Sequence, residues 1–336
     1  MLTTSLPPVP AAIVDAAGQP CFGKFFGALA DINWSGLKSP YRRNLWWQRV
    51  HHKRWQYLAL ASDDLFCGIA IVDVGWTNTA FAYVFDRQKK QIIANFSQDG
   101  LPGLTSRLHS KPATGAASHF HFLHNRIDFC HADDASFATL DVVCGEFSIQ
   151  AQLEVQQALP SLSAIGTVVD GTVHATVKSG GMPVTGDVIV AGVHFVLDGG
   201  IASMDHSNGF LARETAWRWA SAHNLEIGFN LQSGYFGDQE NALWIDGEII
   251  SLGAACFDFN PDNPLDIWHI STDDGLLDVV FQPEGCRQED KNLFIAASRY
   301  VQPIGTFSGW VKADKNAEPR AFSNLVGVTE DHFSRW

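Results

Sequence analysis

An aspartate beside a histidine is the first pair whose types and spacing point to chemistry. Asp205 and His206 lie in Gly199–Ala222 (GGIASMDHSNGFLARETAWRWASA), between a strand-like segment and a glycine turn. Carboxyl and imidazole groups move protons, and either becomes a general acid or base when burial brings its pKa toward neutrality. An exposed carboxyl with a pKa of about 4 is ionised at neutral pH, so a general-acid role for Asp205 requires burial. Neighbours on a strand point to opposite faces, and only a turn lets both reach one cavity. The alternative is that Asp205 caps a turn and His206 is its solvated neighbour.

Other candidates surround this pair. Trp217 and Trp219 share one face of their segment, with Ala216 and Arg218 on the other. Two indoles on an inward face form an apolar wall that also steadies a cation, or else pack in a core. Asn230 ends an alternating run. Glu240 precedes Trp244, which shares a face with Asp246 just before a turn. Polar groups at strand ends gather around the mouth of a barrel and orient a ligand there. Arg54 is the candidate partner of an oxyanion or carboxylate, or alternatively a surface arginine on an edge strand. His119 and His121 face one way on a strand, near His124, His131, Asp133 and Asp134. Their spacing fits no specific metal motif, so they read as satisfied surface histidines and no metal is assigned. Gly18–Lys24 (GQPCFGK) lacks the Ser/Thr and preceding strand of a phosphate loop. The run Asp258–Asp262 lacks the glycine and terminal glutamate of a calcium loop.

The elements that position these residues are strands. Alternation at period two runs through Arg54–Ala61, Leu65–Asp73, Asn78–Phe85, Ser118–Leu123, Arg126–Cys130, Thr139–Cys144 and Phe147–Val155. It resumes in Val188–Leu197, Glu214–Ala220, Leu225–Leu231, Ala242–Ile245, Glu248–Leu252, Ile267–Ser271, Leu276–Phe281, Leu293–Tyr300 and Ile304–Val311. Asp246-Gly247 is the strongest hairpin signal. Helical periodicity is confined to Asp31–Val50. Recurring short strands predict a sandwich or barrel. The Gly/Pro-bearing Lys178–Gly186 (KSGGMPVTG) predicts a junction between two all-β units of similar size, 1–184 and 185–336.

Composition excludes several classes. The 336 residues suggest roughly two domains. Apolar residues at 46% against 18% charged describe a folded chain. With 23 basic and 36 acidic residues the formal charge is −13, which repels phosphate backbones, so nucleic acid is not an expected partner. No apolar run is long enough for a membrane span. Residues 1–20 lack a basic leader region and carry four prolines, so no secretory signal is expected. The six cysteines form no C-x-x-C pair and read as free, mostly buried thiols of a reducing cytoplasm. The 11 Trp and 23 Phe, against 5 Tyr, suit core packing and also an apolar cavity.

The blocks KRWQYLAL, DVGWTNTAFAYVFD, TAWRWASAH, IGFNLQSGY and ENALWIDGEI, in that order, resemble the bacterial family known as domain of unknown function 2804. The resemblance covers roughly Cys21 to Val311. That family is similar to the calycin superfamily and, more distantly, to two-domain lipocalin-like proteins. These include hydroxyneurosporene synthase, an attachment-protein-like group, tocopherol cyclase and fungal pericyclases. The resemblance implies a tandem pair of β-barrels with a ligand cavity at or between them. Many of these relatives carry a W-x-D-H-x-x-G-like block, and Ser203–Gly209 matches it at Asp205, His206 and Gly209, with Ser203 in place of the tryptophan. The implied role of Asp205 faces the cavity.

These readings converge on an all-β chain of two tandem lipocalin-like antiparallel barrels or sandwiches. An elongated apolar pocket is expected near their junction, lined by Trp217, Trp219, Trp244 and phenylalanines. The expected ligand is a hydrophobic small molecule. The first functional expectation is proton transfer on an isoprenoid- or polyketide-like substrate: hydration, cyclisation or isomerisation without a cofactor. Asp205 and His206 would be catalytic, and Arg54, Trp217, Trp219, Asn230, Glu240 and Trp244 would bind substrate. The rivals are a non-catalytic carrier using the same cavity and a sugar-binding or structural β-module with exposed aromatic platforms.

Overall fold

A computed structural model describes residues 6–292 and 296–336. Among them, two curled antiparallel sheets account for the architecture. The first follows the order Gln91–Gly100, Asn78–Asp86, Leu65–Asp73, His52–Ala61, Gly200–Phe210, Val173–Val190, Phe147–Leu153, Ala138–Cys144, Asn125–His131, Ala117–Phe122 and Ser106–Arg107. Leu162–Thr167 also pairs with Val173–Val190, and Gly23–Phe26 with Leu162–Thr167. The second sheet runs Glu248–Ser251, Ala242–Ile245, Ile227–Gly234, Glu214–His223, Arg320–Arg335, Ala297–Val311, Leu277–Asn292, Trp268–Thr272 and Ala255–Asp258.

Alternation explains how each sheet divides its side chains. In His52–Ala61, Leu58 and Leu60 point into the first curl, among Ile69, Phe120, Phe129 and Ile149. Tyr57 and Ala59 point the other way, against Trp219, Ile304 and Val328 of the second sheet. In Glu214–His223, Ala220 and Ala222 enter the second core with Phe229, Trp268 and Phe281. Each curl is thus filled with apolar side chains, and the outer faces of the two sheets meet. Polar ties cross that seam: Tyr83 Oη donates to Gln302 Oε1 at 2.5 Å, and Arg87 forks onto Glu284 at 3.0 and 3.1 Å.

Several strands match their expected positions, and Asp246-Gly247 turns with φ of 49° and 83°, the left-handed pair a two-residue hairpin requires. Other expectations are corrected. Lys178–Gly186 is no linker: it lies inside the 18-residue strand Val173–Val190, with a register shift between Ser179 and Met182. Gly180 permits close approach there, since a Cβ on it would lie 2.3 Å from His223 Nδ1 of the second sheet. The sheets change over at residues 211–213. Val188–Leu197 is two strands around Ala191-Gly192, and Arg320–Arg335 is a further strand. Asp31–Val50 holds one short helix, Leu45–His51, capped by Asn44. Leu293, where one expected strand begins, and Met1–Ser5 of the proposed leader-free terminus lie outside the described residues. All six cysteines are free, but only Cys67 and Cys144 are fully buried. No helix among the described residues is long and apolar enough to cross a membrane.

Candidate active site between the sheets

Cross-strand register builds the site on the outer face of the first sheet. Lys178 pairs with Asp205, Asp205 with Tyr57, Tyr57 with Ala70 and Ala70 with Phe81. One row along, Thr176 pairs with Ser207, Ser207 with Trp55 and Trp55 with Val72. The second sheet answers with two rows of its own. Gln232 lies beside Trp219 and Trp219 beside Glu330, while Trp217 lies beside His332 and His332 beside Tyr300. These patches enclose a cavity of about 100 Å³. It adjoins a second chamber of about 230 Å³ that shares Val72, Phe81, Tyr300, His332 and Trp336 with it. The elongated hollow is therefore between the sheets, outside both filled curls.

Its charged centre is a triad of buried groups. Lys178 Nζ lies 2.7 Å from Asp205 Oδ2 and 3.3 Å from Glu240 Oε1. Trp55 Nε1 donates to Asp205 Oδ2 at 3.2 Å, and the hydroxyls of Ser207 and Thr176 donate to Oδ1 at 3.0 and 3.2 Å. Burial raises the Asp205 carboxyl, but the Lys178 ammonium and these hydrogen bonds outweigh it and hold the group below the usual carboxylate range. The two carboxylates keep Lys178 charged despite its burial. Glu240 goes the other way. Burial drives its carboxyl up; Lys178 offsets part of this, and the Asp205 anion adds to it. Its Oε2 has no hydrogen-bond partner. The two neighbouring carboxyls are thus shifted in opposite directions.

The loop carrying Glu240 is fixed from several sides. Asn230 Nδ2 donates to Glu240 O at 3.0 Å, and Asn241 Oδ1 accepts from Gln232 N at 2.6 Å. Lys24 Nζ donates to Asn241 O at 3.2 Å and Leu252 O at 3.1 Å. Aromatic side chains close the rest. Trp217 lies 4.0 Å from the His332 ring and donates to Glu330 Oε1 at 2.8 Å. The Trp219 ring is 6.0 Å from Lys178 Nζ.

Among the expected site residues, Asp205, Trp217, Trp219 and Glu240 line the cavity. Asn230 does not line it, but accepts from Trp219 Nε1 at 2.8 Å and so holds that indole. His206 is corrected: it points into the first curl, where Nδ1–H donates to Gln56 Oε1 at 2.9 Å. No turn occurs at Asp205, so the strand alternation separates the pair. Trp244 packs with Leu159 and Leu162 elsewhere on the seam, its Nε1 donating to Pro160 O at 2.6 Å. Arg54 pairs with Asp73 in a separate open cleft. Among the described residues, Phe81 is the one phenylalanine on the cavity wall. His121 is paired with Asp128 at 2.7 Å, and no cluster of three or more His, Cys, Asp or Glu suited to a metal occurs among the described residues.

Lys178, Gln232, Tyr300, Glu330 and His332 went unnoticed in the sequence. The signal for Lys178 was present: His174, Thr176 and Lys178 alternate with Val173, Ala175 and Val177, the pattern of a strand with one polar face.

Fold and site together define an all-β protein of two curled antiparallel sheets with an aromatic-walled hollow at their seam. The chain belongs to the family described as Domain of unknown function (DUF2804), which matches residues 8–336. Among solved structures it is similar to kievitone hydratase from Nectria haematococca, at 10% identity and a TM-score of 0.56, covering 100% of this chain and 98% of that one. It is also similar to CghA with Sch210972, at 10% identity and a TM-score of 0.54, covering 98% of each chain. A Nitrosomonas europaea structure assigned as an AttH gives 11% identity and a TM-score of 0.54, covering 90% of this chain and 98% of that one. At such identities the likeness concerns the fold. No curated protein matches the chain by sequence.

Proposed function

We propose that this chain binds an apolar small molecule at the seam and catalyses proton transfer on it, leading to hydration, cyclisation or isomerisation. The carrying observation is the protonatable, unpartnered Glu240 Oε2 in an aromatic-walled cavity, beside a Lys178 already neutralised by Asp205. Glu240 gives its proton to an sp² carbon of the substrate, whose π pair forms the new C–H bond. The cation left on the neighbouring carbon faces the Trp217 and Trp219 rings and the Asp205 anion. Loss of a proton back to the Glu240 carboxylate gives an isomer. Capture by water, which then loses a proton to Glu240, gives a hydrate; capture by an internal π bond followed by proton loss gives a ring. Asp205 serves as the fixed counter-charge. One protein of similar fold is, by its name, a hydratase, which agrees with this chemistry.

The test is isotopic. Wild-type protein incubated in D2O with a panel of isoprenoid- and polyketide-like alkenes is expected to place deuterium on substrate carbon, read by mass spectrometry. Glu240→Gln is expected to lose about 10²–10⁴-fold of that rate. Equal labelling by both proteins removes Glu240 from the mechanism. Compounds that bind and return unlabelled favour a carrier instead.

A further inference from the structure

Burial leaves a specific set of polar atoms without partners at this cavity. Gln232 is 2% exposed, yet neither Oε1 nor Nε2 has a hydrogen-bond partner. Glu240 Oε2 and Tyr300 Oη are likewise unpartnered, in residues 3% and 7% exposed. All three side chains line the same hollow. Buried polar groups are almost always satisfied, and those left open lose their hydration without return. With Tyr57 Oη, likewise unpartnered on the same wall, five such atoms at one cavity mark what its occupant supplies. Their placement is also informative. Gln232 and Tyr300 stand on strands three apart in the second sheet, Ile227–Gly234 and Ala297–Val311, about 14 Å of backbone from one another. Between them lie the Trp219 and Trp217 indoles, with Glu330 and His332 on the next strand. The hollow thus offers hydrogen bonds at both ends, with two indoles on the wall between them.

We infer that the natural ligand is an oxygenated molecule rather than a hydrocarbon: a flat apolar body bearing a hydroxyl or enol at one end, held by Gln232 and Glu240, and a second oxygen at the other, held by Tyr300. A hydroxyl matches the first end because it donates and accepts at once, as the Gln232 amide requires. The Tyr300 hydroxyl donates to, or accepts from, a second oxygen. Gln232 and Tyr300 are the specificity-determining residues, since a terpene hydrocarbon leaves both unpaired, and a site built to hydrogen-bond discriminates strongly against an analogue that lacks the group. The inference deepens the proposed function by naming the substrate class for the same cavity. Its test requires no turnover.

Equilibrium dialysis of the full chain against naphthalene, 2-naphthol and 2,6-dihydroxynaphthalene reads the preference directly. Affinity is expected to rise about tenfold with each hydroxyl. Tyr300→Phe is expected to bring the diol down to the level of 2-naphthol while leaving naphthalene unchanged, and Gln232→Leu to weaken both hydroxylated probes. Naphthalene binding as tightly as the diol overturns the inference. So does a diol preference that survives both substitutions, which would place the hydroxyls on water or elsewhere, and so does failure of all three probes to bind. Unlabelled ligand in the D2O experiment, with the diol preference intact, refutes the proton transfer and leaves the ligand class standing.

Discussion

Lowering the pH from 7 to 5 is expected to unfold this protein, because five buried histidines must stay neutral for it to be folded. Burial takes His52, His131 and His206 down to about 4, and His174 and His223 down to about 3, from an ordinary 6.5. Each is depressed in the folded state, so its contribution is complete above about 6.5 and is lost as pH falls toward the folded values. At pH 5 each costs about 2 kcal/mol relative to neutral pH. Five such groups amount to about 10 kcal/mol, the scale of a whole domain's stability. The surroundings explain the depression: His206 is held by the Gln56 amide inside the first curl, and His223 sits against the Trp244 ring and the two glycines Gly180 and Gly228. Urea midpoints followed by tryptophan fluorescence should fall steeply between pH 7 and 5, with about four to five protons taken up on unfolding near pH 5. A midpoint unchanged across that range contradicts the burial assigned to these rings.

The second large effect concerns Lys178. Lys178→Met is expected to cost about 3–5 kcal/mol, because it leaves Asp205 and Glu240 as buried carboxyls with no cation between them. The double variant Lys178→Met/Asp205→Asn is expected to recover a substantial part of that loss, since a neutral group replaces the stranded anion and keeps the oxygen that accepts from Ser207 and Thr176. Denaturant midpoints of the two variants and of Asp205→Asn alone close the cycle. Simple additivity contradicts a shared buried pair.

Much of this architecture is legible in the chain because it depends on local pattern. The alternation of Glu214–His223 places Trp217 and Trp219 on one face without any knowledge of the partner sheet. Asp246-Gly247 specifies its own turn. What escapes local reading depends on long-range register. Lys178 meets Asp205 only because Val173–Val190 pairs with Gly200–Phe210, and the glycines that suggested a linker instead let that strand bend and approach His223. The same distance hides the roles of the two carboxyls. Asp205 looks like the acid in sequence because a histidine follows it, yet its partners across three strands hold its carboxyl low, and the carboxyl that burial raises is that of Glu240 on a loop of the other sheet. Trp244 and Arg54 show the converse: each has the right residue type near the right place, but Trp244 fills a different part of the seam and Arg54 is committed to Asp73.

The central proposal is that Glu240 is the acid of the pair, its carboxyl raised by burial, while Lys178 holds the carboxyl of Asp205, a few ångströms away, low. Infrared difference spectra between wild type and Glu240→Gln, and between wild type and Asp205→Asn, measure this directly at pH 7. The account predicts that the carbonyl band of a protonated carboxyl disappears with Glu240→Gln and survives Asp205→Asn. Loss of only carboxylate bands in Glu240→Gln, or disappearance of the protonated band with Asp205→Asn alone, would contradict it.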